Sequence, residues 1–276
     1  MIQLNEALAL MQLPFMQRAI LGGAMLGTTG GLLGSFTVLQ ELSFFGDALG
    51  HSAMLGVSLG LLLGLDPHFT ILPFLLVLSF VVTVLLERTR LWTDALLNAI
   101  YSSSLALAII ILSFIDRYKG SINQYLFGDV LTVSSEHLIV TGGLLLVSAL
   151  FLGLTLRSQM LLMISEPIAI VNGVPAKLYR HLFVTLLALV VAAAIQSVGV
   201  LLVSAFIVIP PCTARLWSDR FSHYVPLSVV LGTTTATLGV VCSALLDWPS
   251  GPTMVLVQFA VFVLALLLPK HRRFIA

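Results

Sequence analysis

Two side chains with ligand chemistry stand close together in an otherwise apolar run: Asp47 and His51, within Phe44-Phe45-Gly46-Asp47-Ala48-Leu49-Gly50-His51-Ser52. Four residues apart on a helix, a carboxylate and an imidazole share one face. Each ionisable group inside a membrane span costs roughly 2.5 to 3.5 kcal/mol to insert, so such a pair points to a function. Oxygen plus imidazole nitrogen suits a divalent first-row ion (Mn, Fe or Zn), and the lack of a neighbouring Cys argues against Cu(I). One helix offers too few ligands for a tetrahedral or octahedral ion; a two-fold dimer meeting along this span would double the set. A buried ion pair that only fixes helix packing, or a proton relay, would use the same two residues. Spacing alone leaves all three readings open.

Other titratable groups carry less signal. His68 and Asp66, beside Pro67 at the far end of the same span, read either as an entry site or as a solvated loop. Glu87 with Arg88 and Arg90 reads as an interfacial charge cluster, Asp94 as a charge near a helix start, and Met54 as packing. Cys212 and Cys242 lie in apolar runs and read as small buried hydrophobes. None of Lys119, Lys177 and Lys270 follows a Gly-rich loop, and neither an HExxH pair nor a Gly-x-Ser-x-Gly elbow occurs. The expectation is a chain that is not an enzyme and does not itself hydrolyse ATP.

The elements that must hold these residues are set by lipid. Of 276 residues, 59% are hydrophobic and 9% charged, and the mean hydropathy is +1.09. A soluble chain would carry about 25% charged residues. With a net charge of +1 there is no basic field for a polyanion, which excludes nucleic acid as a partner. A span needs roughly 20 mostly apolar residues. About nine stretches qualify, near 16–39, 44–65, 69–86, 93–115, 138–156, 181–196, 198–216, 224–246 and 253–268. The predicted fold is an all-α, polytopic membrane bundle of about eight or nine transmembrane helices, forming one domain over 1–276. The start of the chain lacks the basic cluster and cleavage site of a signal peptide, so the first span is expected to be retained; 1–13 also reads as an interfacial helix.

Lys and Arg in short joints favour the cytoplasm. Placing the tail Lys270, His271, Arg272, Arg273 inside also puts 215–220, 157–180 and 87–90 inside, and leaves 247–252 and the N-terminus outside. Arg18, Arg117 and Lys119 run against this topology. The joint 116–137 reads as a partly folded outer segment. Within 157–180, Ser165-Glu166-Pro167 has the features of a helix start and Asn172-Gly173 those of a stop. A short helix enclosing Ile168 and Ala169, on the cytoplasmic face, is a surface on which another protein can push. Gly46, Gly50, Gly56, Gly60 and Gly64 suggest one face of close backbone approach. Pro210-Pro211 should break or bend its helix, as a hinge or as a static kink. Thr233-Thr234-Thr235 can bond between helices.

The run Leu42-Ser43-Phe44-Phe45-Gly46-Asp47-Ala48-Leu49-Gly50-His51-Ser52-Ala53 resembles the second-span signature of the manganese/zinc/iron permease family of ABC importers. So do Tyr125-Leu126-Phe127-Gly128-Asp129-Val130-Leu131, Val198-Gly199-Val200-Leu201-Leu202-Val203-Ser204-Ala205, and Leu246-Asp247-Trp248-Pro249-Ser250-Gly251-Pro252-Thr253, in the family's order. The resemblance implies a multi-pass subunit of the inner (plasma) membrane with a type II importer fold. It implies a homodimer or related pair, cytoplasmic ATP-binding ABC subunits, and an external metal-binding protein. The ion is cargo, Mn, Zn or Fe, with no permanently bound cofactor. It places Asp47 and His51 on the metal path, and it makes Glu166, Pro167, Ile168, Ala169, Asn172 and Gly173 a coupling helix docked on the ATPase. The family often has basic residues just before the signature; here Gln40-Glu41 stand there, adding Glu41 as an inner-mouth carboxylate. A proton-coupled secondary carrier is the alternative.

Overall fold

The computed structural model describes residues 11–89, 91–115, 128, 130, 133–200 and 202–268, with the side chains of His68 and Gln196 left aside. The described residues form ten helices: α1 Pro14–Leu39, α2 Ser43–Leu62, α3 Pro67–Arg88, α4 Thr93–Ser113, α5 Ser135–Ile164, α6 Glu166–Val171, α7 Ala176–Val198, α8 Val203–Trp217, α9 Phe221–Leu246 and α10 Ser250–Leu267. Eight of them are long and apolar enough to cross a bilayer, and α8 is a shorter apolar helix of 15 residues. Each expected span falls on one of these nine. The helix α5, at 30 residues, runs further than its predicted stretch and takes in the start of the 157–180 joint. Most of the expected outer segment, like the basic tail, lies outside the described residues.

The two ends of the bundle can be told apart by what meets there. At one end the α1–α2 turn touches the end of α5: Gln40 Nε2 donates to Gln159 Oε1 at 3.0 Å. A cavity of about 360 Å³ at this end is lined by Gln40, Glu41, Leu86, Leu91, Leu162 and Arg180, among others. The short helix α6 belongs to this end. At the other end the Val130 N–H donates to Ser250 Oγ at 3.0 Å, and Gly128 packs on the Ser197–Gly199 backbone.

The helix α1 is the hub, packed against α8, α9 and α5. Its contact with α9 is backbone to backbone: Gly27 and Gly232 each occupy the place where the other's Cβ would collide with a carbonyl. Polar atoms close the same seam, with Ser228 Oγ donating to the Gly31 carbonyl at 2.7 Å and Thr28 sharing a hydrogen bond with Thr233 at 2.7 Å. Of the three consecutive threonines only Thr233 bonds across helices; Thr234 and Thr235 bond back to their own helix.

Pro210 and Pro211 do not break α8, which is continuous through both. Their missing N–H groups leave the carbonyls four residues earlier, those of Phe206 and Ile207, without the usual helical donor. Those two carbonyls lie where a Cβ on Gly30 or Gly34 of α1 would stand. The Cα–H groups of the two glycines therefore face the freed oxygens, a weak hydrogen bond worth perhaps 0.5 to 1 kcal/mol each. This seam went unread in the sequence, although the four- and three-residue steps of Gly23, Gly27, Gly30 and Gly34 were its signal.

The expected single glycine face of α2 divides. Gly46 and Gly50 lie against Ile207 and Val200, whereas Gly56 and Gly60 lie against Phe74 and Thr70 of α3. Six residues separate Gly50 from Gly56, a rotation of about 240° on a 3.6-residue helix, so the two pairs cannot share a face. Gly64, at φ +68°, is in the left-handed region just past the end of α2 and stops it.

Candidate functional site

The α2 helix carries Asp47 and His51 on one face, as the four-residue spacing requires. His51 Nδ1 lies 3.0 Å from the Asp47 backbone carbonyl and 3.3 Å from Asp47 Oδ1. A carbonyl can only accept, so Nδ1 carries the proton, and Nε2 is the nitrogen left to offer a lone pair whenever the ring is neutral. Orienting one ring nitrogen through the other is how metal-binding histidines are prepared. Both side chains remain partly accessible, 28% for Asp47 and 16% for His51.

Two neighbouring helices complete the surroundings. From α8, Ser204 stands beside the Asp47 carboxylate in the wall of one cleft. Ser204 reaches it because α7 ends at Gly199, at φ +87°, and α8 begins only at Val203. The break lies inside the bundle: the Val200 carbonyl packs on Gly50, and Val198, Val200 and Val203 are each 1% exposed. Irregular backbone at such a depth is tolerable because protein, not lipid, surrounds it. The N-terminal turn of α8, with its partial positive charge, thus stands beside Asp47, as at the ion sites of discontinuous transmembrane helices. From α4, the Tyr101 ring meets His51 edge to face, with centroids 4.8 Å apart.

An open cleft of about 1100 Å³ reaches Asp47 from the α1–α2 turn. Its polar lining is Glu41, Ser43, Asp47, Asp94, Asn98 and Ser204. His51 is not part of this wall. Glu41, at φ +58°, is held in the left-handed region at the turn and lines both the cleft and the smaller cavity near Arg180. Among the described residues no three His, Cys, Asp or Glu side chains are grouped to hold a metal ion, so one chain offers the Asp47–His51 pair and no more.

The other expected site residues fall into two places. His68 begins the first turn of α3 at the opposite end of the bundle, some 16 Å beyond His51 by the rise along α2. The fold does not bring it to Asp47. The coupling residues do form a helix, α6, of six residues between Ser165 and Asn172. Ser165 holds the N-cap position, but its hydroxyl makes no cap bond, and Pro167 is the second helical residue rather than the first. Gly173, at φ +77°, ends the turn. Glu166 pairs with Arg180 of α7 at 2.5 Å, Ala169 is fully buried, and Ile168, Ile170 and Val171 are exposed.

Asp94, Asn98, Tyr101 and Ser204 were missed as site residues. The first three follow one face of α4, a pattern visible in the sequence but silent about what that face meets. Glu87, read as one of a surface charge cluster, instead stands between α3 and α7, with Oε1 3.5 Å from His181 Nδ1.

A bundle of membrane-crossing helices with an open cleft that reaches Asp47 of an ionisable pair has the form of a multi-pass transport protein. The sequence matches the ABC 3 transport family over residues 12–269, and the chain belongs to that family. It is 30% identical over 249 residues to the high-affinity zinc uptake system membrane protein ZnuB of Haemophilus influenzae, covering 90% of this chain and 95% of that one. It is 29% identical over 265 residues to the manganese transport system membrane protein MntC of Listeria monocytogenes, covering 95% and 94%. Among solved structures, PsaBC from Streptococcus pneumoniae in complex with Fab superposes with a TM-score of 0.84 at 27% identity, over 99% of this chain and 98% of that one. The protein is a multi-pass subunit of the plasma membrane.

Proposed function

We propose that this chain is the permease subunit of an importer for a divalent first-row metal ion, Mn, Zn or Fe, and that Asp47 and His51 are its intramembrane ligands. One observation carries the site: a carboxylate in the wall of an open cleft is joined to Nδ1 of a histidine on the same helix face, which leaves Nε2 as the nitrogen to ligate an ion. Relatives named for zinc uptake and for manganese transport support the choice of cargo and do not separate the two. Carboxylate and imidazole donors accept all three ions.

In this reading the whole chain acts as one permease domain, and a second copy brings its own Asp47 and His51 to complete a four-donor set. Glu41 and Asp94 line the inner mouth and lower the electrostatic cost of a dication leaving Asp47. His68 lies at the outer approach. Segment 157–180, with α6 at its centre, faces the cytoplasm and seats a separate ATP-hydrolysing subunit, while an external metal-binding protein delivers the ion.

Replacing Asp47 or His51 with Ala should abolish uptake of radioactive Mn(II) or Zn(II) in whole cells while leaving the dimer and its ATPase assembled. Undiminished uptake in both variants removes the site. Uptake by the purified chain in liposomes with a pH gradient and no ATPase would replace the ATP-driven reading with a proton-coupled one.

A further inference from the structure

The cleft that opens past Glu41 ends before it reaches His51. Its wall includes Phe44 and Asp47 from α2, and Asp94, Ala95 and Asn98 from α4, but neither His51 nor Tyr101. Tyr101 is the next residue on the Asp94–Asn98 face of α4, three positions beyond Asn98. Its ring packs edge to face on both sides of the boundary, at 6.3 Å from Phe44 inside the cleft and at 4.8 Å from His51 beyond it. Asp47 thus lines the cleft while its partner His51, one turn away and 16% exposed, lies outside that wall with an aromatic ring from a different helix packed against it.

We propose that Tyr101 is the inner gate of the ion path, a ring that backs the cleft wall at Phe44 and keeps His51 apart from the cleft, so that only Asp47 meets the inner mouth until α4 moves relative to α2. An ion held by both groups then loses the imidazole from its accessible side when the ring is in place, and gains a continuous route to Glu41 and Asp94 when it swings away. The ring's bulk performs this; its hydroxyl does not. Edge-to-face contacts of this kind are weak, as a gate that must open in every cycle requires. The proposal rests on Asp47 and His51 being stations of the path, but its test needs no transport.

In a background with Cys212 and Cys242 replaced by Ser, His51→Cys is labelled with a small, membrane-impermeant methanethiosulfonate reagent. The reagent is added to vesicles on the side that exposes α6, with the ATPase subunit present. Ala95→Cys, in the open cleft wall, sets the fast reference. The Tyr101→Ala change should raise the labelling rate of Cys at 51 by about tenfold or more, corresponding to about 1.4 kcal/mol off the barrier, whereas Tyr101→Phe leaves it slow. Tyr101→Val, which also removes the ring, serves if the Ala variant does not assemble. Equal rates with Tyr, Phe and the truncated side chain would overturn the gate, as would fast labelling in the unaltered Tyr101 background. The site reading fails separately, through uptake in the Asp47→Ala and His51→Ala variants.

Discussion

At the scale of single residues, Asp47 has groups from another helix beside it as well as His51 on its own. A carboxylate within a bilayer bundle is expensive to keep charged. The Ser204 hydroxyl and the first turn of α8 supply the compensating dipoles, and Ser204 is available because the chain breaks between Gly199 and Val203. Hydrogen bonds to charged groups are worth about 1.5 to 3 kcal/mol. Ser204→Ala should therefore weaken Mn(II) binding to the purified protein by about tenfold or more while the melting temperature stays nearly constant, and Ser204→Thr should restore it. Calorimetric titration of the three proteins decides the matter; a matching loss of thermal stability in the Ala variant would instead make Ser204 a packing residue. Of this neighbourhood only the Asp47–His51 pair could be read from the sequence, since a four-residue spacing states its own geometry, whereas the partners of Asp47 lie more than 150 positions away in the case of Ser204.

At the scale of elements, the informative seam is α1 against α8 and α9. Prolines 210 and 211 free two carbonyls, and glycines 30 and 34 bring α1 close enough to cover them. The two carbonyls that the prolines free are thereby accommodated in a helix–helix contact. This packing also holds the α8 residues Ser204, Ala205 and Val208 at the cleft wall. A methyl group at position 34 would meet the Ile207 carbonyl directly, so Gly34→Ala must push α1 and α8 apart. Overpacking of this kind costs about 1 to 3 kcal/mol. The variant should melt several degrees lower in detergent and carry less metal per mole of purified protein, whereas Gly143→Ala, with open space around it, should change neither. If the two variants melted together, the close approach of α1 and α8 would not matter to stability.

At the scale of the whole molecule, the gathering of the α1–α2 turn, the α5 terminus and the start of α7 at one end links the cleft mouth to α6. Glu41 lines the cleft, its neighbour Gln40 bonds Gln159 near the end of α5, and Arg180 lines the adjoining cavity while pairing with Glu166 of α6. A push on the exposed Ile168, Ile170 and Val171 has a contiguous physical route to the turn that carries Glu41. The Glu166–Arg180 pair is about one-third exposed on both sides, so its share of fold stability is small, roughly 0.2 to 1 kcal/mol. Its loss should show in coupling instead. Glu166→Arg should leave the melting temperature within a degree or two but lower metal-dependent ATP hydrolysis by the assembled transporter, and the double exchange with Arg180→Glu should recover much of it. Failure of the double exchange to recover any activity would remove the pair from the route.

The sequence by itself determined that the chain lives in lipid, where its nine apolar helices run, that Asp47 and His51 share a face, and that a short helix stands between Ser165 and Gly173. These are local properties: apolar length, helical period and the backbone demands of Pro and Gly act within a few residues. Only the tertiary structure decided that Glu41, Asp94 and Ser204 share one cleft with Asp47, that Tyr101 packs on His51, that the glycines of α2 serve two neighbours, and that proline-freed carbonyls are covered by α1. Those outcomes depend on which helix faces which, and in a bilayer hydrophobicity does not choose among faces that are all apolar; backbone fit and a few buried polar contacts do.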